Sequence, residues 1–356
     1  MAKEPTVKII STNVICRQPD RYIGWPTITR THKEDLVVVF SGDRDEHVCP
    51  WGKTQMVRSS DGGSTWTTPV TINNTPLDDR DAGIIETDKG TLVISWFTSL
   101  AFLEQGQVSW IPETIRNGWK RHIEKLDQET HEKWLGYWIR RSEDDGKTWG
   151  MPIRSHVTAP HGPIQLLDNR LIYVGMGTKG GKRVIGVDES RDDGLSWSLI
   201  ATVPIPSDEV IAHYSEPHVV EAKKGKLVAL FRCEPKDSSQ CFLRQSESTD
   251  GGKSWSLAHK TPIWGYPPHL IRLRNGWLLA AYGRRIPPFS ERVCISTDDG
   301  KTWDAENEVT LASAPNGDLG YPASVQLDDG SILTVFYQIH QTGEKTCLMG
   351  TRWCLE

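Results

Sequence analysis

The 356-residue chain lacks a long apolar run, an excess of basic residues and a cysteine framework, and each absence excludes a class of protein. No segment is long and apolar enough for a membrane-spanning helix, and the first residues lack a signal-peptide core. The formal net charge of −5 gives no electrostatic footprint for nucleic acid. Seven scattered cysteines, an odd number, predict free thiols. We therefore expect a cytoplasmic protein, or a secreted or periplasmic one if a leader was removed.

What the chain has instead is an eight-residue pattern, Ser-x-Asp-x-Gly-x-(Ser/Thr)-Trp, that occurs five times. The copies begin at Ser59, Ser142, Ser190, Ser248 and Ser296. The Asp-x-Gly core is typical of a turn, because Asp caps backbone amides and Gly adopts a positive φ. The Trp that closes each copy can pack under the turn and pin a hairpin to the sheet beneath. Such a recurrence predicts a repeat architecture.

A second repeat gives the number of units. Six segments have the pattern strand, short turn, apolar strand, and their first apolar residues after the turn are Leu36, Leu92, Leu171, Leu227, Leu278 and Ile332. The steps of 56, 79, 56, 51 and 54 residues are typical of four-stranded blades. The sequence therefore predicts an all-β fold, a six-bladed β-propeller that forms one domain over residues 1–356. The segment KIISTNVIC is expected to supply the outer strand of the sixth blade and close the ring.

The one long step marks an insertion over residues 98–138 in blade two. Within it four apolar residues recur at helical spacing, namely Ile115, Trp119, Ile123 and Leu126. One interpretation is a helix that packs on the rim of the ring. The other is a lid or wall over a site, because loops after second strands open on the same face as the starts of the innermost strands.

The residues that open the innermost strands of a propeller converge on its axis. At those positions the chain carries aromatic, charged and imidazole side chains, namely Trp25, Arg80, Asp81, His161, Glu216, His218, His269 and Tyr321. The ends of the second strands add further charged side chains, namely Arg44, Asp45, Arg232, Arg284 and Arg285. Small apolar residues would suffice there, so this convergence predicts a polar ligand site. No metal-ligand spacing is evident, and no cofactor is expected.

The repeated hairpins resemble the Asp-boxes of the sialidase (neuraminidase) superfamily, whose propeller also has six blades. The resemblance spans nearly the whole chain. It implies an exo-acting glycoside hydrolase that releases a terminal sialic acid or another acidic sugar from a glycan or glycoconjugate. In that family three arginines clamp the substrate carboxylate, a Tyr assisted by a Glu is the nucleophile, and an Asp is the acid/base.

The resemblance assigns catalytic roles by position. Tyr321 resembles the nucleophile, Glu216 resembles its partner, and Asp45 resembles the acid/base, with Arg44 beside it. A phenol is a poor nucleophile unless a neighbouring carboxylate takes its proton, which gives the first two residues a chemical reason to pair. If the substrate lacks an anomeric carboxylate, Glu216 with Asp45 or Asp81 could act as an ordinary carboxylate pair.

The arginine clamp departs from the family pattern. Arg232 resembles the second arginine, and Arg284 or Arg285 the third. The first arginine belongs to an Arg-Ile-Pro motif, but here those places are occupied by Gly24-Trp25-Pro26. Trp25 suggests stacking against a sugar ring instead. The clamp is incomplete unless another arginine reaches in, and the candidates are Arg21, Arg80 and Arg292.

Two further functions stay open at this point. A polysaccharide lyase acting on uronic acids would use one of the three histidines with Tyr321 to remove the proton α to a carboxyl group. In that reaction Arg232 and Arg284 would neutralise the carboxylate. A non-catalytic carbohydrate-binding propeller would agree with the missing arginine.

Overall fold

Six antiparallel sheets form the blades of a propeller in the computed structural model, which describes residues 7–355. Blade one contains β2 (Tyr22–Arg30), β3 (Leu36–Arg44), β4 (Lys53–Ser59) and β5 (Val70–Asn73). Blade two contains β6 (Asp78–Glu86), β7 (Leu92–Ser99), β8 (Tyr137–Ser142) and β9 (Ile153–Arg154). Blade three contains β10 (Val157–Thr158), β11 (Ile164–Gln165), β12 (Leu171–Lys179), β13 (Lys182–Ser190) and β14 (Ser198–Thr202).

The second half of the chain repeats the arrangement. Blade four contains β15 (Tyr214–Lys223), β16 (Lys226–Cys233), β17 (Phe242–Ser248) and β18 (His259–Trp264). Blade five contains β19 (His269–Arg272), β20 (Leu278–Arg284), β21 (Ser290–Ser296) and β22 (Val309–Ser313). Blade six contains β23 (Gly320–Gln326), β24 (Ile332–Ile339), β25 (Thr346–Leu355) and β1 (Val7–Cys16). The predicted six-bladed fold is confirmed.

The second strand of each blade contains a continuous apolar run because neighbouring blades cover both of its faces. In β3 the side chains of residues 36–40 are fully buried. Val38 packs in one cluster with Val335 of blade six, whereas Val39 packs in another with Ile94 of blade two. Successive side chains of a strand point to opposite faces, so a continuous apolar run holds three blades together.

The N-terminal strand closes the ring, as the sequence predicts. Strand β1 pairs antiparallel with β25 from Val7 opposite Leu355 to Cys16 opposite Leu348. The first and last described strands thus share blade six, and their ladder fixes the N-terminal strand to the last blade of the ring.

The five repeated hairpins share the hydrogen bonds that link their Ser, Asp and Gly residues, and the third copy also shows how the Trp is held. In the third copy Ser190 Oγ donates to Asp192 Oδ1 at 2.8 Å and accepts from the Gly194 N–H at 2.8 Å. The same Asp accepts from the backbone and hydroxyl of Ser196 at 2.9 and 2.5 Å. The Trp197 indole donates to the Gly194 carbonyl at 3.1 Å and is 8% exposed. The motif therefore stabilises the turn and anchors it to the sheet, as predicted.

The insertion in blade two is helical. It contains α1 (Gln105–Val108), α2 (Glu113–Ile123) and α3 (Gln128–Trp134). Trp119 is 1% exposed and packs in a cluster with Phe102 of the insertion and Val48 of the loop after β3. These contacts pack the insertion against the ring as a wall. That the insertion moves as a lid stays a prediction. No helix described between Val7 and Leu355 is long and apolar enough to cross a bilayer.

We expect that Asp192→Ala lowers the free energy of unfolding by about 1 kcal/mol, because the turn loses the cap on its backbone amide. Urea denaturation of the variant and the parent measures the difference. The exposed residue Asp208, changed to Ala, is the matched control and should leave stability unchanged. Equal midpoints for both variants would show that the repeated Asp is dispensable for stability.

Candidate functional site

Four innermost strands share one backbone irregularity, and it aims their side chains at a common site. The residues concerned are Trp25, Asp81, Glu216 and Tyr321, with φ values of 55°, 50°, 47° and 52°. Each lies where the register with the second strand shifts, in blades one, two, four and six. The left-handed region is unfavourable for large side chains, and bulges redirect the residues they contain. The strain is concentrated where residues from four blades converge.

Tyr321 and Glu216 form the central pair. Tyr321 Oη donates to Glu216 Oε1 at 2.6 Å, and Arg232 Nη1 donates to Glu216 Oε2 at 2.6 Å. Burial raises the pKa of Tyr321 well above its ordinary value, and the charges of Glu216 and Asp81 add to the effect. Both oxygens of Glu216 are therefore occupied, one by a phenol that keeps its proton and one by a cation.

Asp81 lies on the same cavity as Glu216. This cavity has a volume of ≈ 620 Å³ and is lined by both carboxyl groups. Asp81 is 6% exposed, and its Oδ1 atom has no hydrogen-bond partner among the described residues. Burial raises the pKa of Asp81 to about 6, against the lowering effect of Arg80 and with a further rise from Glu216. A carboxyl group of this kind can give up and recover a proton near neutral pH.

Of the two adjacent arginines in blade five, Arg285 is the one beside the central pair. Its guanidinium lies 5.6 Å from the Tyr321 ring centroid, and its Nε donates to the Leu319 carbonyl at 2.9 Å. Arg284 instead lies 5.5 Å from the ring of Trp264. Only one of the two sequence candidates therefore contacts the predicted nucleophile.

Arg80 is the arginine that reaches in from another blade. Its guanidinium lies 4.7 Å from the Trp25 ring centroid, and its Nη2 lies 3.5 Å from His47 Nε2. Burial lowers the pKa of His47 well below its ordinary value, and the positive charges of four arginines lower it further, namely Arg80, Arg44, Arg285 and Arg232. Arginines of blades one, two, four and five thus lie close enough to act on the same imidazole.

The other two candidates for the missing arginine are bound elsewhere. Arg21 Nε donates to Asp43 Oδ1 at 2.8 Å. Arg292 forms an ion pair with Glu308 on the outer part of blade five. Among the described residues, neither guanidinium contacts the central pair.

The structure does not bring Arg44 or Asp45 to the central pair. Arg44 is fully buried and makes a two-pronged ion pair with Asp78, at 2.5 and 2.8 Å. Asp45 accepts from Arg21 and, at 2.8 Å, from the indole of Trp119 in the insertion. Asp45 also lines a separate cavity that includes part of α2. Both side chains serve to join the loop after β3 to its neighbours.

The expectation that Trp25 stacks on a sugar ring does not agree with its surroundings. The side chain is 1% exposed. The guanidinium groups of Arg80 and Arg44 lie 4.7 and 5.0 Å from its ring centroid, and Tyr321 meets the ring edge-on at 6.2 Å. Trp25 therefore supports the arginines and the tyrosine from below the accessible surface.

The three histidines pack against one another. The ring centroids of His161 and His269 are 4.9 Å apart, and those of His218 and His269 are 4.5 Å apart. Their exposed fractions are 1, 4 and 5% for His161, His218 and His269. His218 Nδ1 accepts from the Leu270 N–H at 2.9 Å. Within residues 7–355 no group of His, Cys, Asp and Glu has the arrangement to hold a metal ion.

The innermost strand of blade three is interrupted between β10 and β11, where His161 and Gly162 lie. A Cβ atom on Gly83 of blade two would come within 2.3 Å of the Gly162 backbone nitrogen. The two backbones can approach this closely only because both residues are glycine. This contact brings the adjoining Ala159 and Pro160 to the cavity that Asp81 also lines.

Some residues around the site were not among the predicted ones. Tyr22 Oη donates to Asp318 at 2.8 Å and lies 3.1 Å from His47 Nδ1, and Arg285 Nη2 lies 3.3 Å from Tyr337 Oη. One signal was available for the bulges themselves. Three of the four bulged residues precede proline, in the dipeptides Trp25-Pro26, Glu216-Pro217 and Tyr321-Pro322.

The model of the BNR repeat-like domain family matches residues 117–334. No curated protein sequence is significantly similar to the chain. A solved structure of unknown function from Dyadobacter fermentans is 23% identical over 98% of this chain and 99% of its own, with a TM-score of 0.80. The intramolecular trans-sialidase from Ruminococcus gnavus is 14% identical, covering 97% of this chain and 98% of its own, with a TM-score of 0.69.

A third similar structure is the α-L-arabinofuranosidase Arb93A from Fusarium graminearum. It is 14% identical over 97% of each chain, with a TM-score of 0.65. At these identities the likeness to solved structures shows the fold alone.

The buried histidines predict a pH-dependent stability. Burial lowers the pKa of His161 well below 6.5, so the unfolded chain binds a proton below pH 6.5 that the folded chain does not. Each such histidine should therefore lower the free energy of unfolding by about 1.4 kcal/mol for every unit by which the pH falls below that value. We expect that the free energy of unfolding of His161→Gln, measured by urea denaturation, depends less steeply on pH between pH 6 and 4 than that of the parent, by about this amount per pH unit.

The control for this prediction is His259→Gln, because His259 has a side chain that is 52% exposed. This variant should keep the slope of the parent. Equal slopes for the His161 variant and the parent would contradict the prediction.

Proposed function

The chain belongs to the BNR repeat-like family, within the superfamily of six-bladed propellers that includes the sialidases, and on this premise we propose that it is a glycoside hydrolase acting on an acidic sugar. The observation that carries the proposal is the 2.6 Å hydrogen bond from Tyr321 to Glu216, whose other oxygen accepts from Arg232. A buried Tyr–Glu pair of this kind is suited to nucleophilic attack on an anomeric carbon.

The proposed reaction proceeds in two steps. Tyr321 Oη attacks the anomeric carbon while Glu216 accepts its proton, and the bond to the leaving-group oxygen breaks. Arg232 donates to the other oxygen of Glu216 and holds this carboxyl group beside the phenol. Asp81 donates a proton to the leaving oxygen. In the second step a water attacks the anomeric carbon while Asp81 accepts its proton, the bond to Tyr321 Oη breaks, and Glu216 returns its proton to Tyr321. Asp81 takes the role that the sequence suggested for Asp45.

The charges around the pair support an acidic substrate. Arg232 and Arg285 lie next to Tyr321, and Arg80 approaches from blade two. Guanidinium groups bind carboxylates through paired hydrogen bonds, and a neutral phenol approaches an anionic sugar without the repulsion that a carboxylate nucleophile would meet. We propose sialic acid or a sugar with a similarly placed carboxylate.

The lyase hypothesis has less support. It requires an imidazole or a phenol at the substrate's α carbon. Tyr321 is common to both reactions, but the three histidines pack against one another and not against the carboxylate of the Tyr321–Glu216 pair. A non-catalytic carbohydrate-binding propeller remains an outcome of the tests that follow. Absorbance of an unsaturated product would identify a lyase, and binding without any product would identify the binding protein.

We expect that Tyr321→Phe lowers kcat by at least about a hundredfold, because the ring stays and the attacking oxygen is lost. Binding of the substrate should largely survive. The assay is release of reducing sugar from a panel of acidic glycans, followed by kinetics on the one that is cleaved. A variant that turns over as fast as the parent would overturn the assignment of the nucleophile.

The pH profile distinguishes the two candidates for the acid. Because the pKa of Asp81 is raised to about 6, its proton is lost as the pH rises through 6. We therefore expect kcat/KM to fall about tenfold per pH unit above that value. Asp81→Asn should abolish this decrease of kcat/KM with pH. It should leave kcat/KM unchanged for substrates with a good leaving group, because such a group departs without being protonated. Asp45→Asn, the matched control, should keep the decrease.

The reverse result would return the acid role to Asp45. In that case the profile of the Asp81 variant would match the parent, and the Asp45 variant would lose the decrease.

A further inference from the structure

The cavity that Asp81 and Glu216 line passes from the innermost strands outward over blade three. The two carboxyl groups lie on β6 and β15, the innermost strands of blades two and four. Met176 of β12 and Arg183 of β13 line it on the second and third strands of blade three. Its volume of ≈ 620 Å³ falls in the range of small-molecule sites, so the cavity has room for a sugar.

Arg183 is the cation of this cavity. No other arginine or lysine between Val7 and Leu355 lines it. Arg183 Nη2 donates to the Tyr214 carbonyl at 3.0 Å, which holds the guanidinium two residues along the chain from Glu216. A guanidinium has five N–H donors, and the other four of Arg183 have no acceptor and no ion-pair partner among the described residues. They are therefore open to a ligand.

The arginines nearer the axis are already engaged with groups of the protein. Arg232 donates to Glu216 and, through Nε at 2.6 Å, to Glu234, so two carboxylates share its charge. Arg285 Nε donates to the Leu319 carbonyl at 2.9 Å. Neither arginine lines the cavity. A ligand inside the cavity consequently meets the guanidinium of Arg183 and not these two.

The carboxyl groups of the cavity determine where it can hold a negative charge. Asp81 is buried, and its Oδ1 atom has no hydrogen-bond partner among the described residues, so an anion placed beside it and Glu216 would be repelled. Glu104 of the insertion also lines the cavity, but this residue is exposed and water screens its charge. Arg183 is the place in the cavity where an acidic group would be compensated.

We propose that Arg183 binds a carboxylate of the sugar that occupies this cavity, and that it thereby selects an acidic substrate. The inference rests on the proposed function, because it takes the ligand to be a glycan that is cleaved beside Asp81 and Glu216. It adds a specificity-determining residue on blade three, where the resemblance to the sialidases assigns no arginine.

Arg183→Gln is the variant that tests this role, because it removes the guanidinium from an exposed position and leaves the core intact. The probes are two matched pairs, N-acetylneuraminic acid with its methyl ester and galacturonic acid with galactose. Calorimetry gives the Kd of each. The parent should bind at least one acid about tenfold more tightly than its neutral counterpart, because a guanidinium donates charge-assisted hydrogen bonds to a carboxylate. Arg183→Gln should lose this preference.

Lys182→Gln is the matched control. Lys182 precedes Arg183 on β13, is also exposed, carries the same charge and does not line the cavity. Neighbouring side chains of a strand point to opposite faces, so this variant should keep the preference of the parent. A similar loss in both variants would overturn the inference, because net charge alone would explain it. Equal binding of acidic and neutral probes by the parent, or a preference that survives in Arg183→Gln, would also overturn it.

Kinetics on the glycan that is cleaved separate this inference from the function on which it rests. Arg183→Gln should raise KM about tenfold and leave kcat unchanged, because the bond to the carboxylate is made in the ground state and in the transition state alike. Cleavage with an unchanged KM would overturn the role of Arg183 and leave the hydrolase standing. Selective binding of the acids through Arg183, without cleavage of any glycan, would overturn the hydrolase and leave the acid-binding site standing.

Discussion

The two bonds of Glu216 are the interaction on which the rest of the site depends. Its oxygens join Tyr321, 105 residues away in blade six, to Arg232 in its own blade. The contact depends on the circular arrangement of the blades, because blades four and six do not follow each other along the chain. Ring closure in turn rests on the ladder between β1 and β25. The chemistry of one carboxylate is thus tied to the first and last strands of the structure.

The strained backbone at four innermost strands follows from the same constraint. In a regular innermost strand, alternate side chains would point toward the two neighbouring blades. Only small residues would then face the axis. The bulges at Trp25, Asp81, Glu216 and Tyr321 redirect large side chains inward, at the expense of an unfavourable positive φ. Sheets whose central strands are buried on both faces can hold that geometry, because few other arrangements of the backbone fit between the blades.

Much of the fold is visible in the sequence because it repeats. The Asp-x-Gly turns and the apolar second strands obey local rules, so the number of blades, the closing strand and the helix around Trp119 are all predictable. The site is only partly predictable. Glu216, Tyr321 and Arg232 meet as expected, but a shift of one residue reverses the face of a side chain. That is why the sequence leaves Arg284 and Arg285 equivalent, whereas the structure separates them.

The arginine that is missing from blade one shows that a sequence motif alone does not determine the charge at a site. The sequence has Trp25 where a relative would have the cation, and this substitution alone suggests a weaker site for anions. In the structure the Trp25 ring lies beside the guanidinium of Arg80. The positive charge therefore comes from blade two, and it packs against the tryptophan that occupies the position of the family's first arginine. The positive potential at the site depends on where charges lie, and not on which strand carries them. A third guanidinium therefore lies near the site although the residue at the position of the first arginine is a tryptophan.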